Sequence, residues 1–185
     1  MLDNDLINLF ATRLEAVAAS GSWKDANGNL YGVSQKEQPT QQGVTTVPQI
    51  FFEKLFDNGY GFPEVTHVFD DVNQIMTEVE TQLTETTFQV SALVIQDPTD
   101  LTIPTASDVV NFCRGFLMAR ETIRAWKSVG VSILRVITVR NPYFEDDRHR
   151  NEATPSFDIV VTHNRVINNV INFAAEMIGE PIPVQ

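Results

Sequence analysis

The sequence predicts an α+β fold in which an antiparallel or mixed β-sheet packs against two main α-helices, with a long extended arm or loop added to this core. Three observations predict this class: a helical pattern at the start of the chain, a second one past its middle, and several strand-like runs between and after them. At 185 residues, of which 43% are hydrophobic, the chain can bury a core of its own. We expect a single domain over residues 1–185.

Two segments have the spacing of amphipathic helices. Residues 2–19 place apolar side chains three and four positions apart and carry acids near the start, where the helix dipole favours them. Residues 105–129 predict a second, longer helix, with Thr105 or Ser107 available as N-cap and Gly130 just past the end. We expect both helices to pack on the sheet.

The middle of the chain is strand-like. Residues 47–56 are an aromatic and β-branched run, and the turn-rich DNGYGFP after it predicts a hairpin connection at residues 57–63, with the return strand beginning at Glu64. Helical and strand patterns compete over residues 71–83, and the sequence leaves that choice open. Residues 86–96 alternate apolar and polar side chains, which predicts a strand with one buried face.

Two further strands are predicted over residues 131–140 and 156–167, and a strongly charged loop separates them. In the second strand the apolar side chains occupy alternate positions and so share one face of the sheet. His163 and Arg165 continue that face toward the end of the strand.

Two segments stand apart from this core. Residues 20–43 are rich in Gly, Asn, Gln and Ser and have no sustained period, which predicts a long loop or extended arm. Residues 168–185 form a C-terminal extension whose first part has the spacing of a short helix. Such appendages are typical of proteins that assemble with neighbours.

Charge and cysteine content exclude several functions. The net charge of −11 and pI of about 4.6 argue against sequence-specific DNA binding, although an acidic wall would let DNA pass without sticking. Cys113, as a lone cysteine, forms no internal disulfide and no cysteine-based metal site, which fits a reducing compartment. No signal sequence or membrane-length apolar run is present, so we expect a soluble intracellular product.

The charged loop could offer Glu145, Asp146, Asp147 and His149 to a divalent cation, because carboxylates and imidazoles are suitable ligands. Their spacing matches no established metal-binding loop, so we expect neither a metal nor a cofactor.

The sequence does not indicate catalysis. Its three histidines, His67, His149 and His163, lie on different predicted elements, and no nucleophile, phosphate or dinucleotide motif accompanies them. We expect His67 and His163 at sheet edges and Cys113 in the core. The protein is therefore predicted not to be an enzyme.

The charged loop instead has the composition of a subunit contact, because aromatics supply contact area and mixed charges fix register. A merely solvated loop remains the alternative. The predicted interface residues are Tyr143, Phe144, Glu145, Asp146, Asp147, Arg148 and Arg150.

The segment RVITVRNPYFEDDRHRNEATPSFDIVVTHNRVI, preceded by TTFQVSALVIQDP, resembles the tail-terminator or neck-terminator proteins of tailed bacteriophages. The resemblance covers residues 48–167. In that family a D-[DE]-R step, here Asp146, Asp147 and Arg148, precedes a strand of the type FDIVVTHNR.

The resemblance implies a structural virion protein of the neck, assembled in the host cytoplasm as a homo-oligomeric, six-fold ring. This hexamer would cap the tail tube and join it to the head connector, with DNA passing through the lumen without specific binding. It implies no cofactor and no membrane.

Other functions compete with this one. A head-completion or connector ring is the alternative within the same class, since related small folds build successive neck rings. From other classes come a small acidic metal-dependent hydrolase, which would use the loop carboxylates and His149, and a module that binds a small ligand in a deep pocket.

Reversing one charge of the loop tests its role in assembly. We expect Arg148→Glu to weaken assembly and to change its salt sensitivity while the monomer stays folded, because charge pairs at an interface rim act mainly on register. Light scattering and circular dichroism measure the two effects. Assembly with wild-type affinity would mean that the loop is only a solvated turn.

Overall fold

In the computed structural model, one mixed sheet carries three helices on one face. The structure describes residues 1, 3–25, 27–36, 47–73, 75–94, 102–141, 143–145, 151–153 and 155–171, with the backbone alone for 143–145 and 151–153. The helices are α1 (Asp3–Gly21), α2 (Ala106–Leu117) and α3 (Arg120–Ser128). The strands are β1 (Gly32–Gln35), β2 (Gln49–Asp70), β3 (Ile75–Leu93), β4 (Val131–Val136), β5 (Tyr143–Glu145), β6 (Asn151–Ala153) and β7 (Ser156–Ile171).

Five of the strands form the main sheet, in the order β1-β2-β3-β7-β4. Strand β1 runs parallel to β2, and the other neighbours are antiparallel. Strands β5 and β6 form a separate two-stranded ribbon. The predicted α+β class with a mixed sheet is thus confirmed. Among the described residues, no helix is both long and apolar enough to cross a membrane.

The pairing of β3 with β7 organises the sheet. It runs from Met76 opposite Ile171 to Ser91 opposite Ser156 without a register shift. Because side chains alternate between the two faces of a strand, this pairing fixes which residues point toward the helices. The predicted strand over residues 86–96 is confirmed as far as Leu93, and its apolar alternate residues are buried. The polar Thr87 and Ser91 between them are buried too, so the expectation of a single buried face is wrong at these positions.

The core centres on Phe10 of α1. Its ring lies 4.2 Å from the ring of Phe88 on β3 and 4.9 Å from that of Trp126 on α3, and all three side chains are buried. Phe52 of β2 stacks at 6.3 Å from the other side. Aromatic pairs at these distances add to the free energy gained from removing their surface from water.

The predicted hairpin turn is in the wrong place. Residues 57–63 lie inside β2, where the register shifts between Tyr60 and Glu64, and the chain reverses between Asp70 and Ile75. The Asp70 carboxylate accepts hydrogen bonds from the amides of Val72 at 2.9 Å and Asn73 at 3.2 Å, which stabilises this turn. Gly61 (φ 65°) lies in this bulge, whereas Gly59 is paired with Thr84 in the strand.

Strand β3 also settles the open choice over residues 71–83. From Ile75 onward this segment is strand, paired with both β2 and β7. The apolar residues at helical spacing lie instead on both faces of an extended chain.

The long second helix is interrupted. Thr105 caps α2 as predicted, and its side chain and that of Asp108 form a capping box. However, α2 ends at Leu117, and Ala119 has extended backbone angles (φ −63°, ψ 143°) before α3 begins. The break turns Thr122 into the core, where its hydroxyl donates to the Phe116 carbonyl at 2.7 Å.

The two appendages are partly sheet. Strand β1 lies within residues 20–43, so the predicted loop contains a strand, while residues 37–43 lie outside the described residues. At the other end β7 continues to Ile171, so the helix predicted from residue 168 is wrong for residues 168–171. The rest of that extension, residues 172–185, lies outside the described part of the chain.

Truncating the central ring tests this core. We expect Phe10→Ala to lower the free energy of unfolding by about 3–5 kcal/mol, because it leaves a cavity among buried aromatic rings. Phe62→Ala is the matched control: Phe62 is 99% exposed, so its loss should change stability little. Urea unfolding of both variants measures the difference, and equal stabilities would contradict this view of the core.

Candidate assembly surface

The far half of the sheet is left uncovered by the helices. We call this region the distal sheet; it comprises residues 64–70 of β2, 75–83 of β3 and 164–171 of β7. None of these residues is buried, whereas the other halves of β3 and β7 supply much of the core. Exposed large apolar side chains of the distal sheet are Val65, Val68, Phe69, Ile75, Leu83, Ile167 and Val170. Exposed apolar area of this extent is typical of an interaction surface.

Both faces of the distal sheet are partly apolar. The face that continues the helix-covered side carries Val65, Phe69, Met76, Ile167 and Ile171. Two polar pairs lie among them: His67 and Glu78, 3.4 Å apart, and Asn169, which donates to Glu80 at 3.4 Å. The opposite face carries Val68, Ile75, Val79, Val166 and Val170.

The two outer edges of the distal sheet have no partner strand among the described residues. Strand β1 pairs with β2 only over residues 49–52, and β4 pairs with β7 only over residues 159–163. The edges differ in charge: residues 64–70 include Glu64 and Asp70, whereas Arg165 is the one charged residue in 164–171. Unpaired edges can accept another strand.

A polar cleft of about 580 Å³ lies where the distal sheet meets the start of α1. It is lined by Met1, Asp3, Asn4, Asp57, Gly59, Gln82, Thr84, His163 and Arg165. Here the side of the sheet that faces the helices changes from apolar to polar.

A hydrogen-bonded chain runs along the wall of this cleft. The Thr86 hydroxyl donates to Asp57 at 2.7 Å and lies 3.1 Å from His163 Nε2. Because its single proton goes to Asp57, the hydroxyl must accept from His163, so Nε2 carries the proton. Lys54 also bonds to Asp57 and donates to Asp3 of α1 at 2.8 Å, which ties the helix start to the sheet.

The pKa values in this chain favour a neutral histidine beside a charged carboxylate. Burial lowers the pKa of His163, and the nearby Met1 ammonium lowers it further. Burial alone would raise the pKa of Asp57, but hydrogen bonds from Lys54 and Thr86 outweigh it and hold that pKa below its usual value. His163 Nδ1 is buried and has no hydrogen-bond partner.

The base of the charged loop is fixed to the other face of the sheet. Both Asp158 oxygens accept from Arg140 Nη2 at 2.8 Å, and Gln89 donates to the same carboxylate at 3.0 Å. Backbone bonds between Arg140 and Ser156 close the loop. The chain therefore leaves and re-enters the sheet at neighbouring points.

The structure describes only three of the seven residues of the predicted interface. Tyr143, Phe144 and Glu145 form β5, whose backbone pairs with β6, while Asp146, Asp147, Arg148 and Arg150 lie outside the described residues. Their role in assembly stays a prediction. The distal sheet was missed by the sequence reasoning, although the valine, isoleucine and threonine content of its strands was a usable signal.

The residues considered for chemistry are scattered. Among the described residues, no three His, Cys, Asp or Glu side chains are grouped to hold a metal ion. His67 lies on an outer strand as predicted, but His163 pairs with Thr84 and Val131 on both sides, so its predicted edge position is wrong. Cys113 is in the core as predicted, and burial raises the pKa of its thiol to about 12.

The buried histidine predicts a pH effect. Because the pKa of His163 is lower in the folded chain, the unfolded chain binds more protons below the ordinary value of about 6.5. The free energy of unfolding should therefore fall as the pH is lowered from 7 to 5, above the range in which Asp57 titrates. His163→Gln should reduce this fall.

Thermal unfolding from pH 7 to 5 measures the effect. Val129→Gln is the control, because Val129 is half-exposed and carries no titratable group, and this variant should keep the wild-type slope. An unchanged slope in His163→Gln would show that the buried ring does not cause the pH dependence.

A family model described as E217 gateway protein gp29 matches residues 5–173, nearly the whole chain and all three strands of the distal sheet. The comparison with curated proteins gave no match. The resemblance to phage neck proteins is confirmed at this coarser level. With its helix-covered core and uncovered distal sheet, the chain belongs to the E217 gateway protein gp29 family of structural proteins of the phage head-to-tail neck.

Proposed function

We propose that the protein forms a homo-oligomeric ring in the phage neck, which caps the tail tube and joins it to the head connector. The distal sheet is the observation that carries this proposal. It exposes apolar side chains on both faces and two unpaired edges, although the same chain builds a well-packed core at its other end. A surface of this kind is suited to contacts with neighbouring subunits.

Ring symmetry follows from the difference between the two edges. An acidic edge and an edge with a single arginine are not equivalent, so a contact between them joins unlike surfaces of successive copies. Contacts of this kind generate rings when the rotation between copies closes. The six-fold number comes from the resemblance to tail terminators.

The lumen of the ring would let DNA pass without binding it. At a net charge of −11, the subunit has no overall attraction for the phosphate backbone. A wall that repels phosphates would keep DNA moving. The charged loop around Arg148 would add contacts between subunits or with an adjoining ring. The function needs no catalysis, cofactor or membrane.

A head-completion or connector ring is the second candidate. The family name, gateway protein, favours a place on the passage between head and tail, which both rings share. The two candidates differ in their partner: a tail terminator binds tube ends, whereas a connector ring binds the portal side of the neck.

Mass photometry across a range of salt, followed by negative-stain imaging with and without isolated tail tubes, tests the proposal. We expect rings, or density that caps the tube ends. Rings that ignore tubes but bind the head connector would favour the second candidate. A monomer that binds neither partner would contradict a role in the neck.

A further inference from the structure

We propose that the outer edge of β7 in one copy pairs with the outer edge of β2 in the next, over residues 164–171 and 64–70. The sheet would then continue from subunit to subunit. This inference rests on the proposed ring and names the contact that closes it. The partner it commits to is a second copy of this chain.

The β7 edge lacks the usual guards of an edge strand, although the Asn164 carbonyl at its start accepts a hydrogen bond from the Met1 ammonium at 2.9 Å. Natural proteins guard exposed edge strands with proline, with inward charges or with bulges. Residues 164–171, with the sequence NRVINNVI, contain no proline and no acid, and their pairing with β3 is regular throughout. Such an edge is suited to receive a strand.

The two edges also differ in charge. The β2 segment carries Glu64 and Asp70 on the face away from the helices, and the β7 segment carries Arg165 on the helix side. Among the described residues, Arg165 makes no ion pair. Two copies of the β2 edge would bring like charges together, whereas residues 164–171 of the β7 edge carry no acid that would repel the β2 edge.

The apolar side chains of the two edges follow a matching pattern. On the face that continues the helix side, Val65 and Phe69 are four residues apart, as are Ile167 and Ile171. On the opposite face, Val68 can meet the Val170 of a neighbour. Pairing the two edges therefore extends both apolar stripes across the boundary and buries side chains that are exposed in the single chain.

The geometry also permits a closed ring. Strands β2 and β7 are both antiparallel to β3, so they run in the same direction. Copies related by a rotation axis along the strands would bring these edges together as a parallel pair. A distal sheet closed in this way leaves neither residues 64–70 nor residues 164–171 as a free edge.

Disulfide trapping tests the contact. Thr66→Cys and Asn168→Cys place one thiol on each edge, on the face away from the helices. Within one copy β3 separates them by about 9–10 Å, which is too far for a disulfide. The buried Cys113 should not interfere. Oxidation of the double variant should give a ladder of covalent oligomers.

Three outcomes would each be decisive. The single variants are the controls: each has one accessible thiol, can form at most a covalent dimer and should stay unlinked. A dimer as abundant as the linked products of the double variant would mean that like edges meet, which overturns the proposal. Pairs shifted by two residues, Thr66 with Val170 and Val68 with Asn168, cover the neighbouring registers. Rings without a ladder from any pair would overturn this contact and leave the proposed ring intact. Absence of rings would instead contradict the proposed function.

A charge at the edge gives an independent readout. Val170→Glu should weaken assembly roughly tenfold or more, because it places an unpaired carboxylate in the contact beside an acidic edge. Val129→Glu is the matched control, since Val129 is half-exposed but lies at the end of α3, outside the distal sheet. Circular dichroism shows that both remain folded. Equal assembly of the two variants would contradict the contact.

Discussion

The unbroken pairing of β3 with β7 is the constraint on which the rest of the structure depends. Because no register shift occurs along it, the side of β7 that faces the helices is the same at both ends of the sheet. That side begins with Phe157 in the core, reaches His163 at the polar cleft and continues to Ile167 in the distal sheet. A slip of one residue would turn the core residues outward and would dismantle the hydrogen-bonded chain from His163 to Asp57.

The lengths of the elements explain why half of this sheet stays uncovered. Helix α1 and strand β3 each contain 19 residues, but a helix of that length spans about 28 Å and a strand about 63 Å. The helices therefore reach only as far as the cleft, where Lys54 and Asp3 tie the start of α1 to the sheet. Beyond that point the three strands stabilise each other through their backbones, and none of the described helices covers their apolar side chains. A partner subunit would supply that cover, which connects the geometry of one chain to a role in a neck assembly.

Local sequence patterns predicted some helices and strands correctly. They failed where another interaction determined the backbone conformation. The first helix and the alternating strand at Phe88 followed from spacing, because each buries one face on the core. The turn-rich residues 57–63 gave a wrong position for the hairpin turn. A bulge can accommodate a glycine inside a long strand, and Asp70 stabilises the actual turn. The break at Ala119 has no glycine or proline to signal it. The buried residues Leu117 and Thr122 are five positions apart, instead of the three or four expected in one continuous helix, and this spacing marks the break. The distal sheet escaped prediction because its pattern is shaped by a surface outside the single chain.

Hydrogen exchange measured by mass spectrometry, on the isolated chain and on the assembled neck complex, tests the central claim most directly. Amides of residues 75–83 are already paired on both sides, so they provide an internal reference. We expect residues 64–70 and 164–171 to gain protection on assembly while the reference segment changes little. New protection elsewhere, with both edges exchanging as in the isolated chain, would contradict it.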